Sequence, residues 1–303
     1  MDHQFSLLIA GCGYLGRRVA SRLLGQGHTV GAITRSAAKL SDLAECGLRI
    51  FEADLVTQVP NLKSTPFDAV LWCIGYEPNS VQSRQQVWTH SIRNLLSAFT
   101  SSGLTRFVMT SSVSVYGDSE GSTVDEFTPC SPTTDGGKAI LEAESLLREL
   151  LTRHSPAPRC TIARLAGIYG PNRLLRKLSD LEARAPITGP PDDWMNLIHV
   201  DDAAEIIYKL LRCNHPPELI NLVSHPTVTR RLYYSTLADV SKVPAPIFAA
   251  DLPESSLIPI EFFQRRQKSG NKKVESRCLQ KFESSMKFQN LLNGLRQAMG
   301  PKS

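Results

Sequence analysis

The chain has 303 residues, of which 42% are hydrophobic and 21% charged, and this composition is typical of a globular protein with one large α/β domain or two domains. The formal net charge is +5 and no run of five or more Lys or Arg occurs, so nucleic acid is not an expected partner. No apolar run is long enough to span a bilayer and no charged leader precedes the first apolar run, so we expect no membrane partner and a cytoplasmic location.

The cysteines carry no sign of a metal site. All seven are scattered, and none forms a Cys-x-x-Cys pair. An odd count without regular spacing favours reduced, mostly buried thiols over disulfides or zinc ligands. Cys12 lies inside a glycine-rich run, where the simplest interpretation is a small residue that fits a turn.

The first half of the chain alternates strand and helix patterns. The predicted strands are Leu7–Ala10, Thr29–Thr34, Leu48–Ala53, Ala69–Ile74, Arg106–Ser111 and Arg159–Leu165. The predicted helices are Tyr14–Gly25, Ser36–Cys46, Val81–Thr100 and Lys138–His154. Such alternation predicts an α/β fold, a Rossmann-type doubly wound parallel sheet whose ligand crevice lies at the carboxyl ends of the strands.

The pattern loosens after Gly170, where many prolines interrupt short elements. A helix over Val200–Arg212, a short strand over Leu219–Leu222 and a last helix over Leu291–Met299 are predicted here. We therefore expect a dinucleotide-binding domain over residues 1–170 and a small C-terminal mixed α/β lobe over 171–303. The segment 197–212 is an exception, since it could instead belong to the larger domain.

The run Gly11–Gly16 follows the first predicted strand and opens the first predicted helix. Gly11 permits a tight turn, Gly13 has no Cβ to obstruct a pyrophosphate, and Gly16 lets the helix approach the strand. The backbone N–H groups and the positive end of the helix dipole would then face the phosphates. The run predicts a dinucleotide site, and a turn without a ligand is the alternative.

Cofactor choice is expected at the end of the second predicted strand. A carboxylate there would bind the 2′-hydroxyl of NAD, but Thr34 occupies the position and Arg35 follows. A neutral residue followed by a guanidinium favours the 2′-phosphate of NADP. The predicted cofactor is NADP in preference to NAD, and a solvated Arg35 at a helix start is the alternative.

Several motifs together resemble the extended short-chain dehydrogenase/reductase superfamily, of the nucleotide-sugar epimerase and dehydratase type. The matching segments are Gly11–Gly16, Ala53–Leu55, Thr110–Gly117, Ala163–Pro171 and Asn196–Asp202. They occur in the family's order and cover most of the chain. The spacing Gly-x-Gly-x-x-Gly departs from the family's usual Gly-x-x-Gly-x-x-Gly and is more similar to that of its atypical subgroups.

The resemblance implies that Asp54 and Leu55 contact the adenine and that Lys138 holds the nicotinamide ribose. With the residues already discussed, the predicted cofactor site is Gly11, Gly13, Tyr14, Leu15, Gly16, Thr34, Arg35, Asp54, Leu55 and Lys138.

The family's catalytic residues are a Ser or Thr, a Tyr, and a Lys four residues after the Tyr. Ser112 and Lys138 match the first and the last, and Ser112 would also touch the substrate. Thr134 occupies the Tyr position, and a slip of one residue would place Thr133 there. An aliphatic hydroxyl is far less acidic than a phenol, so proton transfer by the family's route is not expected.

Other residues are candidates for the missing proton-transfer role. Tyr116 and Tyr169 are expected at carboxyl ends of strands, although they more often pack structurally in the family. Asp135 beside Lys138 could act as a base, or could simply cap the helix.

Two further positions carry side chains that could act in a site. His199 is a candidate acid–base group, but a structural histidine at a capped helix start is the favoured interpretation. Arg173 is predicted to bind an anionic group of the substrate, ahead of Arg164, and a solvated arginine explains it equally well.

These observations predict an NAD(P)-dependent oxidoreductase or epimerase that acts on a small sugar, including nucleotide-linked sugars. The alternative is a non-catalytic NAD(P)-binding redox sensor or regulatory protein, which the missing Tyr favours. By resemblance, the helices over Val81–Thr100 and Lys138–His154 would pair two copies into a homodimer.

Overall fold

The computed structural model describes residues 5–62, 65–99, 103–174, 178–253 and 270–300. Its strands are β1 Ser6–Ala10, β2 Thr29–Thr34, β3 Arg49–Glu52, β4 Ala69–Trp72, β5 Arg106–Ser112, β6 Thr123–Val124, β7 Arg159–Leu165, β8 Gly167–Tyr169, β9 Trp194–Met195, β10 Leu197–His199, β11 Leu219–Leu222, β12 Val228–Thr229 and β13 Lys273–Val274. Its α-helices are α1 Gly16–Leu24, α2 Ser41–Glu45, α3 Arg84–Ser97, α4 Asp135–Leu151, α5 Leu178–Glu182, α6 Val200–Arg212, α7 Arg230–Ser241 and α8 Leu291–Met299.

The central sheet confirms the predicted Rossmann-type fold class. Seven parallel strands lie in the order β11-β7-β5-β4-β1-β2-β3, with helices between them along the chain. The order reverses at β1, which pairs with β2 on one side and with β4 on the other. Because the strands are parallel, their carboxyl ends share one edge of the sheet, and the reversal opens a crevice there.

The chain folds into two compact units, and each unit is made of several separate stretches of sequence rather than one continuous stretch. One unit comprises residues 1–112, 138–164 and 204–220, and the other comprises 113–137, 165–203 and 221–303. The strand β11, which the sequence pattern assigned to the smaller lobe, is the outermost strand of the central sheet. The domain boundary at residue 170 stays a prediction.

The second unit has its own small pairings and core. Its strands pair as β8 with β10, β9 with β12, and β6 with β13. Its buried apolar cluster comprises Tyr169, Leu181, Ile187, Leu197, Tyr233, Tyr234, Leu237, Ala238, Phe248, Leu295 and Ala298. The helices α7 and α8 contribute several of these residues, and α7 was absent from the sequence prediction.

The predicted helix over Ser36–Cys46 is wrong as a single helix. A 3₁₀ turn over Ala37–Leu40 precedes α2, and Leu40 leaves helical geometry with φ −122° and ψ 17°. The carbonyl of Lys39 accepts a hydrogen bond from Arg17 at 2.9 Å, so a side chain of α1 takes an acceptor that a continuous helix would use.

The two longest helices begin and end at different residues from those predicted. Ser83 caps α3 through a capping box with Gln86, which starts the helix after Val81, and the predicted end at Thr100 lies outside the described residues. The helix α4 begins before Lys138, directly after Thr134. A cap therefore sets the first residue in each case.

Candidate functional site

The glycine turn between β1 and α1 is built so tightly that only glycine fits at two of its positions. Gly11 has φ +92°, and a Cβ there would lie 2.6 Å from the carbonyl oxygen of Cys73, just after β4. A Cβ at Gly16 would lie 2.8 Å from the carbonyl oxygen of Gly11. These contacts bring the start of α1 against the turn.

The middle glycine of the turn faces open space. Gly13 is exposed, and no described atom lies within 4 Å of the position that its Cβ would occupy. Leu15 lies at the cap position of α1, and its side chain makes no hydrogen bond to the first turn of that helix. An open backbone at an uncapped helix start fits a diphosphate, because the helix dipole is positive there.

The other predicted residues of the turn are held by their neighbours. The guanidinium of Arg18 lies 4.4 Å from the ring centroid of Tyr14 and donates a hydrogen bond to the Tyr14 carbonyl at 2.7 Å. Leu15 is buried. Tyr14 is thus fixed by α1, while Leu15 anchors the start of α1 in the core.

The end of β2 presents an arginine that is already paired. Thr34 Oγ1 accepts a hydrogen bond from the backbone N–H of Ser36 at 3.2 Å, which forms a tight local turn. Arg35 makes an ion pair with Glu77 at 2.5 Å, and both side chains are largely exposed. The sequence prediction singled out Arg35 but missed Glu77, which is distant in the chain.

The segment after β3 is held by α3. Asp54 Oδ1 accepts a hydrogen bond from the N–H of Val56 at 2.9 Å. Asn94 donates to the carbonyl of Leu55 at 2.9 Å, and Leu55 is buried. Asn94 therefore positions the segment predicted to contact adenine, although no short motif in the sequence identified it.

Burial raises the thiol pKa values of the two cysteines at the glycine turn, Cys12 within it and Cys73 against it. Burial raises the pKa of Cys12 to about 11. Burial also raises the pKa of Cys73, whose Sγ donates a hydrogen bond to the carbonyl of Gly11 at 3.0 Å. Both side chains remain protonated at neutral pH, which suits a packing role.

Ser112 is the last residue of β5, at the same edge of the sheet as the glycine turn, and it is half-buried. Lys138 lies in the first turn of α4, where it is exposed. Their assignment as catalytic or cofactor-binding residues stays a prediction.

A buried charged network includes Ser111, which directly precedes Ser112, and Glu144, which lies six residues after Lys138. Glu144 of α4 is fully buried and accepts hydrogen bonds from Arg164 Nε at 3.0 Å and Arg164 Nη2 at 2.8 Å. It also accepts from the hydroxyl of Ser111 at 2.5 Å. The network ties α4 to β5 and β7, so Arg164 serves the fold and is buried away from solvent.

Thr134 acts as a helix cap. Its Oγ1 accepts a hydrogen bond from the N–H of Gly137 at 3.0 Å, which is the third residue of α4. A Cβ at Gly137 would lie 2.8 Å from the carbonyl oxygen of Ser114, so the start of α4 packs tightly on the segment after β5. Thr134 therefore has a structural task that a tyrosine could not perform. Asp135 is exposed in the first turn of the same helix.

The two tyrosines considered for proton transfer are both buried. Tyr116 donates a hydrogen bond to Asn221 Oδ1 at 2.8 Å. Burial raises the pKa of Tyr169, whose ring lies edge-on to His199 at 5.2 Å between centroids. Neither phenol is exposed to a substrate, and both pack within the second unit.

His199 is fully buried at the start of α6. Its Nδ1 accepts from the N–H of Asp201 at 3.2 Å, so Nε2 carries the proton that faces Gln297 Oε1 at 2.8 Å. Asp202 accepts from the backbone N–H groups of Lys287 and Phe288, and burial raises its pKa. These side chains hold the C-terminal segment against α6.

Arg173 ends a tight turn that begins at Gly170. Its N–H donates to the carbonyl of Gly170 at 3.0 Å, and Asn172 has φ +60° within the turn. The side chain of Arg173 is exposed. Its predicted contact with substrate stays a prediction.

The described part of the chain holds no group of three or more His, Cys, Asp or Glu side chains that could bind a metal ion. Its helices include none that is both long and apolar enough to cross a membrane.

The parallel sheet, with its reversal at β1 and a glycine turn leading into α1, defines a protein of the Rossmann class. The sequence model of the NAD dependent epimerase/dehydratase family matches residues 7–222, and the chain belongs to that family.

Proteins of known sequence or structure resemble the chain over most of its length. The chain is 29% identical to Protein YeeZ of Escherichia coli K12 over 250 residues, which are 80% of this chain and 86% of YeeZ. A functionally unknown conserved protein from Silicibacter pomeroyi has a similar fold, with a TM-score of 0.74 at 22% identity over 98% of this chain and all of that chain. UDP-glucuronic acid 4-epimerase from Bacillus cereus, solved in complex with NAD, has a TM-score of 0.71 at 18% identity over 97% of each chain.

Proposed function

We propose that the protein binds a nicotinamide dinucleotide on the glycine turn and acts as an oxidoreductase or epimerase on a small sugar, including nucleotide-linked sugars. The observation that carries the proposal is the open backbone at Gly13, between two glycines that the fold requires. Membership of the epimerase/dehydratase family supports the same class of cofactor. Sugar nucleotides are proposed because the Bacillus cereus neighbour is a UDP-glucuronic acid 4-epimerase.

The chain's own residues have distinct roles in this proposal. A bound nicotinamide supplies hydride transfer. The hydroxyl of Ser112 polarises the reacting oxygen of the substrate, and Lys138 binds the nicotinamide ribose. Arg173 binds an anionic group of the substrate. Because Thr134 caps α4, proton transfer is assigned to solvent rather than to this side chain.

NADP is the proposed preferred cofactor. Arg35 at the end of β2 is the cation that would pair with the 2′-phosphate, since the preceding residue is neutral. Asp54 and Leu55 are assigned to the adenine. Titration of NADH and NADPH should show tighter binding of NADPH, and equal affinities would remove this role from Arg35.

Gly13→Val tests the dinucleotide site with little risk to the fold, because a Cβ there would have no described atom within 4 Å. We expect calorimetry to show nucleotide binding to the wild type and at least about tenfold weaker binding to the variant, because the valine occupies the phosphate position. Gly103→Val is the matched control, since Gly103 is also exposed and equally open. Wild-type affinity in Gly13→Val, or no binding by the wild type, would refute the proposal.

A second candidate function is a dinucleotide-binding protein without turnover. The cap made by Thr134 favours it, because the side chain at the family's Tyr position is committed to the start of α4. Thr134→Tyr discriminates between the two when a panel of nucleotide sugars is assayed both for reduction of NAD(P) and for epimerised product by NMR, because an epimerase returns the hydride and accumulates no reduced cofactor. Turnover by the wild type supports the enzyme, whereas turnover only after Thr134→Tyr supports a dinucleotide-binding protein without turnover.

Assembly as a homodimer through α3 and α4 completes the proposal. A side-chain contact joins the two helices, with Gln85 Nε2 donating to both carboxylate oxygens of Glu142 at 2.9 and 2.8 Å. Light scattering on the purified protein should give about twice the mass of one chain, and a monomer mass would reject this interface.

A further inference from the structure

The ion pair between Arg35 and Glu77 spans the point where the central sheet reverses. Arg35 directly follows β2 and Glu77 follows β4, and these strands flank β1 on opposite sides. Neighbouring strands lie about 4.8 Å apart, so β2 and β4 are separated by about 10 Å. Glu77 lies five residues beyond the end of β4, so the loop after β4 and the two side chains together span the carboxyl end of β1, where the glycine turn begins.

Local structure presents both side chains for this contact. The hydrogen bond from Ser36 N–H to Thr34 Oγ1 fixes the backbone around Arg35. A turn fixes Glu77, because the N–H of Ser80 donates to the Glu77 carbonyl at 2.9 Å. The side chains themselves are 59% and 62% exposed, so the pair is weak and can exchange partners.

We propose that Glu77 limits the preference for NADP by competing with a 2′-phosphate for Arg35. This inference rests on the proposed function. The ion pair of Arg35 with Glu77, called the clasp below, lies across the proposed dinucleotide site. A 2′-phosphate breaks this ion pair, whereas a 2′-hydroxyl leaves it intact. A phosphate monoester carries a charge of about −1.5 to −2 and accepts a bidentate guanidinium, so it displaces a single carboxylate. Because this exchange costs the ion pair of Arg35 with Glu77, the carboxylate of Glu77 lowers the preference for NADP.

The test is a double-mutant cycle on nucleotide affinity. Dissociation constants of NADPH and NADH are measured for the wild type, Glu77→Gln, Arg35→Gln and the double variant. We expect Glu77→Gln to tighten NADPH binding by about fivefold, the upper range for an exposed charge pair, and to leave NADH binding unchanged. Arg35→Gln should weaken NADPH binding and abolish most of the gain from Glu77→Gln.

Salt dependence and a matched variant separate the clasp from a general charge effect. The gain in Glu77→Gln should shrink at about 1 M salt, where exposed charges are screened. Glu149→Gln removes the same charge from another exposed pair, Glu149 with Arg153 on and just after α4, and should leave both affinities unchanged.

The results distinguish a failure of the clasp from a failure of the proposed function. Equal changes for NADPH and NADH in Glu77→Gln, no change at all, or a full gain that survives Arg35→Gln would overturn the clasp while the proposed function stands. A wild-type protein that binds neither nucleotide would overturn the proposed function and the clasp together.

Discussion

The carbonyl oxygen of Cys73 lies 2.6 Å from the position that a Cβ at Gly11 would occupy. The contact arises because β1 and β4 are parallel neighbours and Cys73 N–H continues their pairing by donating to the carbonyl of Ala10 at 2.8 Å. Gly11 also has a left-handed φ of +92°. Steric space and backbone conformation therefore each require glycine at the first position of the turn.

Gly11→Ala should lower the free energy of unfolding by about 2–4 kcal/mol, because strain in φ adds to a clash with backbone that cannot move aside. Gly27→Ala separates the two causes, since Gly27 has φ +78° but no described atom within 4 Å of its Cβ position. We expect a loss of only about 1 kcal/mol there. Urea unfolding measures both, and equal losses would show that the Cys73 carbonyl does not restrict this position.

Thr134→Ala should destabilise the protein by about 1 kcal/mol, because the N–H of Gly137 loses its acceptor at the start of α4. Thr134→Ser keeps a hydroxyl at the same atom and should retain most of the stability. Chemical denaturation of the two variants checks the role of the cap. If serine costs as much as alanine, the hydroxyl of Thr134 is not capping the helix.

Glu144→Gln should cost about 3–5 kcal/mol, because it leaves the buried guanidinium of Arg164 without a countercharge. The double replacement Glu144→Leu with Arg164→Met removes both charges and should be less destabilising than Glu144→Gln alone. Unfolding in urea measures each variant. Glu149→Gln breaks an exposed pair and should cost far less. A double replacement worse than Glu144→Gln would contradict this account.

Alkylation should label Cys46 before Cys12. Cys46 is exposed, whereas burial raises the pKa of Cys12 to about 11, so about one in a thousand Cys12 side chains is a thiolate at pH 8. Because the pKa is raised, labelling of Cys12 should accelerate as the pH approaches 11. Mass spectrometry after timed iodoacetamide treatment follows each site, with urea-unfolded protein as the control. Equal rates at Cys12 and Cys46 at pH 8 would contradict the burial.

The sequence predicted the elements that are encoded by local periodicity. The strands Thr29–Thr34 and Arg159–Leu165 and the helix Val200–Arg212 have the bounds that the pattern indicated, and the Rossmann class is confirmed. The helix α7 was missed although Thr229 caps it by accepting from Leu232 N–H, because the prolines on either side, Pro226 and Pro244, were interpreted as interrupting short elements. Ser36–Cys46 was assigned to one helix because the bond from Arg17 to the Lys39 carbonyl comes from outside the segment.

The candidate site likewise combines features that the local sequence encodes with contacts that depend on the fold. The spacing of Gly11, Gly13 and Gly16 is a local property, so it can be recognised without the fold and predicts where a dinucleotide binds. The contacts of Arg35 with Glu77 and of Glu144 with Arg164 join residues 42 and 20 positions apart. Those partners follow from the fold alone, because the order of strands in the sheet places side chains together whose separation in the chain carries no periodic signal.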